Sequence, residues 1–243
     1  MRQPNSLPDK SYSQQPEPIR SHISPWLIRL VYPLGCYLVM PAFFGRMEVT
    51  GRENIPLTEP VIIAPTHRSR WDALIVPYAV GRLVSGRDLR FMVTSSEMQG
   101  LQGCLVRRLG GFPVNLNRPE FGSLSHSVEL LAAGEMVVIF PEGGIFRDER
   151  VHPLKRGIAR IALEVEEQHP DCGIKILPIS IRYTQPYQSW GSDVMVKIGS
   201  PIEVADYRSE SIKKSSEQLT TDLRNALKAL HETKVKPVSI ASV

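Results

Sequence analysis

The sequence predicts an α/β fold: a single domain with a central mixed sheet flanked by helices, preceded by an apolar helical element near the N-terminus. Three observations carry this. At 243 residues and 42% hydrophobic, the chain can bury one substantial core. From residue 45 onward, short apolar runs alternate with segments of helical periodicity, the order that builds a sheet with helices on its faces. Ahead of that region, residues 30–44 form an apolar stretch without a charge.

Residues 1–22 are rich in Pro, Ser and Gln and lack hydrophobic periodicity, so they read as a disordered arm. No short apolar core follows directly on a charged start, so the arm is not expected to be a signal peptide. Residues 23–45 come next. As a helix, residues 30–44 would reach about 22 Å, short of a hydrocarbon core of roughly 30 Å. Pro33, Gly35 and Pro41 argue against one straight span. Arg29 and Arg46 bracket the run, and Trp26, Tyr32 and Tyr37 suit a headgroup boundary. The segment therefore reads as a broken, interfacial helical element that docks on one leaflet, with a buried core helix or a single span as alternatives.

The α/β domain is expected over 46–231, with a flexible tail at 232–243. Within it, apolar runs predict strands at 47–50, 61–64, 90–93, 112–114, 136–140, 174–181 and 194–198. Helical periodicity fits 71–84, 119–133, 155–168 and 211–231. Function should collect where strands end and loops lead into helices.

The net charge of +4 and a pI of about 9.0 suit an anionic membrane surface or phosphate-bearing substrates. No zinc-finger spacing and no aromatic–basic interleaving points to nucleic acid. Cys36, Cys104 and Cys172 are scattered, with no C-x-x-C and no His at ligand spacing. They read as buried, reduced thiols of a cytosol-facing protein, and no metal is implied.

The chemistry-bearing residues lie at predicted strand ends. His67 follows the 61–64 run and is followed five residues later by Asp72. A carboxylate-held imidazole is the usual means of taking a proton from an alcohol, since unperturbed His titrates at about 6.5. Asp72 has a structural reading too: Ser69-Arg70-Trp71-Asp72 is a capping-box variant, and the two roles can coexist. Glu142, in Phe140-Pro141-Glu142-Gly143-Gly144, follows the 136–140 run. Arg118 precedes Pro119, which suits the first turn of a helix, so it reads as a phosphate site.

These residues fall in four ordered blocks that resemble the glycerolipid acyltransferase family, which contains the 1-acylglycerol-3-phosphate acyltransferases. His67 and Asp72 match its H-x-x-x-x-D block. Residues 111–118, ending in Arg118, resemble its glycine and aromatic block. Phe140, Pro141, Glu142 and Gly143 match F-P-E-G, and Ile176-Leu177-Pro178-Ile179 is similar to its short strand with a proline. Order and spacing agree over roughly residues 45–205. Gly144 and Ile145 stand where the family has Thr and Arg, and Arg147 lies two residues beyond as a substitute cation.

The resemblance implies acyl transfer from a thioester, acyl-CoA or acyl carrier protein, to the sn-2 hydroxyl of lysophosphatidic acid. His67 would be the general base and Asp72 its orienting partner, and no cofactor is needed because the thioester is already activated. Glu142 is expected to accept a hydrogen bond from a glycerol hydroxyl, with Gly143 and Gly144 allowing close backbone approach. Lys155 and Arg156 open a helix and could hold phosphate or donor, or form a solvated face. Pro178 is expected at a strand edge near the pocket, and Arg107 and Arg108 read as surface charge or contacts to anionic lipid. The chain lacks a G-x-S-x-G elbow, which argues against a serine hydrolase. Peripheral or monotopic attachment to the cytosolic face of a membrane follows. Another lyso-lipid or glycerol 3-phosphate as acceptor, a thioesterase, and a non-catalytic lipid-binding protein remain alternatives.

Overall fold

The structure is a computed structural model, and it describes residue 19 and residues 21–115, 121–209 and 211–232. Helix α1 (Pro25–Pro33) runs through a π-helical turn (Leu34–Val39) into α2 (Met40–Phe43). The predicted break is absent: Pro25–Phe43 is one 19-residue helix, long and apolar enough by length and composition to cross a membrane. Its buried residues, Ile28, Tyr32, Cys36 and Met40, recur every four positions, with Phe44 next in the series. In an α-helix of 3.6 residues per turn, that spacing drifts by about 40° at each step. The wider π-turn takes up the drift and keeps the stripe on the core.

Strands β1 (Met47–Thr50), β2 (Val61–Pro65), β3 (Leu89–Thr94), β4 (Gly111–Val114), β5 (Met136–Val138), β6 (Lys175–Tyr183) and β7 (Val194–Ile198) match the seven predicted runs. A short β8 (Ile202–Glu203) was not foreseen. The sheet order is β1-β7-β6-β2-β5-β3-β4, with β8 beside β6. It is mixed: β6 runs antiparallel to β7 and β8, and the other neighbouring pairs are parallel.

Central β2 reads Val-Ile-Ile-Ala-Pro because both its faces are covered. Ile62 and Ala64 point into one core layer, Val61 and Ile63 into the other. The first layer is closed by α6 (Phe121–Ala132), α7 (Gly157–Gln168) and α8 (Ile212–Glu232), through side chains such as Leu131, Ile161 and Leu223. The second is closed by α2 and α3 (Asp72–Val80), with Met40, Ile75 and Val76 at its centre.

The predicted 71–84 helix splits at Gly81 into α3 and α4 (Arg82–Ser85). A Cβ at Gly81 would sit 2.6 Å from both the Tyr32 ring and the Pro77 carbonyl, so close packing of α1 sets the break. Helix α5 (Gly100–Arg108) was not foreseen either, and it carries Cys104 exposed, whereas of the three cysteines expected to be buried only Cys36 is. Its Gly103 lies directly against the Met98 backbone, where a Cβ would come within 2.1 Å.

The ends also shift. Ile19 packs on the core and the Ser21 N–H donates to His126 Nε2 at 3.0 Å, so the predicted arm (1–22) joins the fold before its expected end; the arm's first 18 residues lie outside the described residues. Helix α8 ends at Glu232, whose Oε1 accepts from the Val151 N–H at 3.0 Å, and residues 233–243 of the expected tail also lie outside the described residues.

Candidate active site

Adjacent parallel strands β2 and β5 deliver two loops to the same end of the sheet. After β2, buried Thr66 fastens the chain to β6, its hydroxyl accepting from the Ile181 N–H at 2.9 Å. The chain then turns through His67–Trp71 and enters α3 at Asp72.

That turn is organised around the Asp72 carboxylate, which is fully buried. Oδ2 accepts from the Arg68 N–H at 2.6 Å and the Ser69 N–H at 2.9 Å, and lies 2.9 Å from His67 Nδ1. The Ser69 bond is the capping contact expected from the sequence, and the same oxygen reaches the His67 ring. Oδ1 accepts from the Tyr183 hydroxyl at 2.6 Å. Burial, and then the Asp72 charge, raise the Tyr183 pKa far above the ordinary phenol value, which keeps this hydroxyl a donor.

His67 stacks on Phe140 with ring centroids 4.0 Å apart. With Nδ1 committed to Asp72, Nε2 makes no hydrogen bond among the described residues, and the ring lines a large cavity. A carboxylate on Nδ1 favours the tautomer whose Nε2 carries the lone pair.

Glu142 is placed differently from expectation. Its side chain is buried, with Oε1 accepting from the His67 N–H at 3.3 Å and Oε2 from Arg68 Nη1 at 3.1 Å and the His152 N–H at 3.2 Å. Both oxygens are thus engaged by protein donors, and Glu142 holds the His67 loop instead of facing a glycerol hydroxyl.

Arg68, buried beside it, donates from all three of its guanidinium nitrogens. Nη1 also donates to the carbonyls of His67 at 3.0 Å and Phe146 at 3.2 Å, and Nη2 to that of Arg150 at 3.0 Å. Its Nε donates to His231 Nε2 at 3.2 Å, while His231 Nδ1 lies 2.8 Å from Ser180 Oγ. Burial, and then the Arg68 cation, push His231 down to about 3, so it stays neutral and accepts from the guanidinium.

The cavity in front of His67 measures about 1010 Å³. Ile28, Tyr32 and Met40 from the N-terminal helix, Leu74 and Pro77 from α3, and Phe91 and Val93 from β3 form much of its wall. Gly143, Gly144, Ile145, Lys155, Arg156 and Arg160 lie along it as well. Gly143 has φ 71°, a left-handed conformation that favours glycine, and the Lys155 stem passes 3.2 Å from where its Cβ would stand. Lys155 therefore brings a cation beside Gly143 in the cavity wall.

The other expectations divide. Arg156 lines the cavity and also pairs with Glu217 at 3.0 Å on the surface. Arg147 does not supply the missing cation, because its guanidinium lies 4.8 Å over the Tyr187 ring and it lines a separate small recess. Pro178 is buried inside β6, not at an edge and not in the cavity wall. It occupies the step between the β8-paired and β7-paired stretches of β6, where a residue lacking N–H breaks no ladder. Arg118 lies outside the described residues. Arg68, Tyr183 and His231 were not singled out from sequence, since their partners are remote along the chain.

Comparison with known proteins gives the same direction. A family model described as Acyltransferase matches residues 46–182, more than half of the chain. A 1-acyl-sn-glycerol-3-phosphate acyltransferase of Bacillus subtilis is 28% identical over 193 residues, 76% of this chain and 88% of that protein. Glycerol-3-phosphate O-acyltransferase 1 of Saccharomyces cerevisiae is 40% identical over 76 residues, 31% of this chain and 10% of that protein. The chain spans about a tenth of the length of the two yeast relatives it matches. The crystal structure of the 1-acyl-sn-glycerophosphate (LPA) acyltransferase PlsC from Thermotoga maritima superposes with a TM-score of 0.63. At 22% identity, over 86% of this chain and 81% of that one, it shares the fold.

Proposed function

The chain belongs to the acyltransferase family, and from that premise we propose that it transfers a fatty acyl group from a thioester to the sn-2 hydroxyl of 1-acyl-glycerol-3-phosphate, giving phosphatidic acid. One observation carries the reading. His67 is held by Asp72 at 2.9 Å, with Nε2 free of protein partners among the described residues, at the wall of an apolar cavity that also carries Lys155 and Arg156. The apolar wall suits an acyl chain, and the cations suit the acceptor phosphate or the donor's pantetheine phosphate. The B. subtilis relative carries this activity in its name.

In the proposed reaction, His67 Nε2 removes the proton of the acceptor hydroxyl as its oxygen attacks the thioester carbonyl. Asp72 holds the tautomer and stabilises the imidazolium, itself fixed by the two N–H groups and the Tyr183 hydroxyl. When the tetrahedral intermediate collapses, the C–S bond breaks and the imidazolium returns its proton to the thiolate. The products are an ester and a free thiol. Nothing is stored on the protein, and no metal or prosthetic group takes part. Gly143 and Gly144 bring backbone near the reacting centre, and Lys155 would receive the acceptor phosphate, the role that the resemblance implies for Arg118.

Glycerol 3-phosphate as acceptor is the second reading. It is favoured by the absence of the motif's Thr and Arg at Gly144 and Ile145, and by the name of the S. cerevisiae relative.

The test offers labelled acyl-CoA and acyl carrier protein to the protein with lysophosphatidate, glycerol 3-phosphate and lysophosphatidylcholine in competition. Labelled phosphatidate as the dominant product supports the proposal. Transfer to glycerol 3-phosphate keeps the chemistry and replaces the acceptor, and free fatty acid alone would make the protein a thioesterase.

A further inference from the structure

Helix α5 presents an outer face for which the fold gives no covering. Leu101 is 92% exposed and Leu105 48% exposed, and with Cys104 and Arg108 they fall on one side of the helix. Gln102 and Val106, on another side, line the cavity in front of His67. The N-terminal helix is built the same way. Ile28, Tyr32 and Met40 line the cavity, while Trp26, Leu30, Leu34, Tyr37 and Leu38 are exposed.

The two helices are fastened together at their ends. The Ser24 N–H donates to the Arg108 carbonyl at 2.9 Å, and Ile23 forms a bridge with Leu109. Helix α1 therefore starts where α5 stops, and exposed Arg107 and Arg108 stand at that junction. Neither Gly100–Arg108 nor Pro25–Phe43 contains an acidic residue. The nearest acid before α5, Glu97, is paired with Arg70 at 2.5 Å. An exposed leucine row ending in two arginines, without an acid, is complementary to an anionic headgroup layer over hydrocarbon.

We propose that α5 is a second membrane-docking element, acting with the N-terminal helix to seat the cavity against a leaflet containing anionic lipid. Leu101 and Leu105 enter the acyl–headgroup boundary, and Arg107 and Arg108 contact lipid phosphates. The proposal builds on the acyltransferase reading by placing the cavity beside the leaflet that holds a lipid acceptor. Its test does not depend on turnover.

The full chain and a Leu101→Ser/Leu105→Ser variant are sedimented with vesicles of phosphatidylcholine, with and without phosphatidylglycerol. Vesicle partition of the variant should fall about tenfold or more, with its melting temperature and oligomeric state unchanged. Arg107→Ser/Arg108→Ser should lose the preference for phosphatidylglycerol, by about fivefold per arginine, and decides the matter if the leucine variant fails to fold. Transfer to a short-chain acceptor dissolved as monomers should persist in both variants, while transfer to acceptor in vesicles falls. Unchanged partition in both variants overturns the proposal. So does conversion of a dimer to a monomer at unchanged partition, which would make this face a contact between copies of the chain. If the protein transfers no acyl group yet the partition shifts appear, docking stands and the acyltransferase reading fails alone.

Discussion

Behind His67, toward β6 and α8, lies a closed polar lattice; in front of it, toward the N-terminal helix and α7, lies an open apolar cavity. In the lattice Asp72, Glu142, Arg68 and His231 answer one another with hydrogen bonds of 2.6 to 3.3 Å. Along the cavity, Lys155 and Arg160 are exposed cations against an aliphatic and aromatic wall. A buried polar group left unpaired is costly, so the lattice tolerates one geometry. The cavity has no such constraint and takes its order from what binds there. The angle of the His67 ring is thus fixed by residues outside the cavity wall, and under the proposed function specificity is left to the residues that line it.

Substitutions on the two sides should therefore fail in different ways. The largest effect is expected from Glu142→Ala, which strands the buried Arg68 cation. Stability should drop by about 3–5 kcal/mol, read as a fall in the denaturation midpoint. A Glu142→Ala protein as stable as the parent would mean that the lattice does not hold the loop.

Tyr183→Phe removes one hydrogen bond to the Asp72 carboxylate while keeping the ring. Such bonds are worth about 1.5–3 kcal/mol, so kcat should fall about tenfold to a hundredfold with KM unchanged. A change confined to KM would move Tyr183 to the substrate side of the comparison.

Lys155→Met keeps the stem over Gly143 and deletes the charge. KM for the phosphate-bearing acceptor should rise about tenfold, the worth of roughly 1.4 kcal/mol, with kcat nearly constant. An equal rise for an acceptor without phosphate would assign Lys155 to the donor.

The last effect is a pH slope, read per pH unit. Folded His231 stays neutral down to about 3, whereas in the unfolded chain it takes a proton near 6.5. The unfolded state then binds more protons between those values, so stability falls as pH drops through that window, by at most about 1.4 kcal/mol per pH unit. His231→Gln should flatten that part of the stability–pH curve, and an unchanged slope would mean that other groups set it.

The division between the regions also explains what the sequence disclosed. Val61-Ile62-Ile63-Ala64 announces a strand covered on both faces, and His67 with Asp72 sits at its end, because periodicity and short spacing are local properties. Glu142 was legible as a member of the site but not in its role, since only folding brings Arg68 and the His152 N–H to its oxygens. Tyr183 and His231 reach partners 111 and 163 residues away, a separation no spacing rule covers. Helix α5 escaped because its leucines face outward and Gly103 answers a backbone contact, so neither periodicity nor propensity marks it. Pro33 and Pro41 do not end the helix: Pro33 closes its first α-helical part, Pro41 sits in the first turn of its last part, and π-helical hydrogen bonding joins the two.

The most direct test of the account is the steady-state kinetics of His67→Gln, which keeps a polar side chain of similar size but no base. The account predicts a loss in kcat of about 10²–10⁴-fold, with KM for both substrates and the melting temperature close to the parent's. A folded His67→Gln protein that retains the parent's kcat would contradict it, because proton removal would then belong to another group.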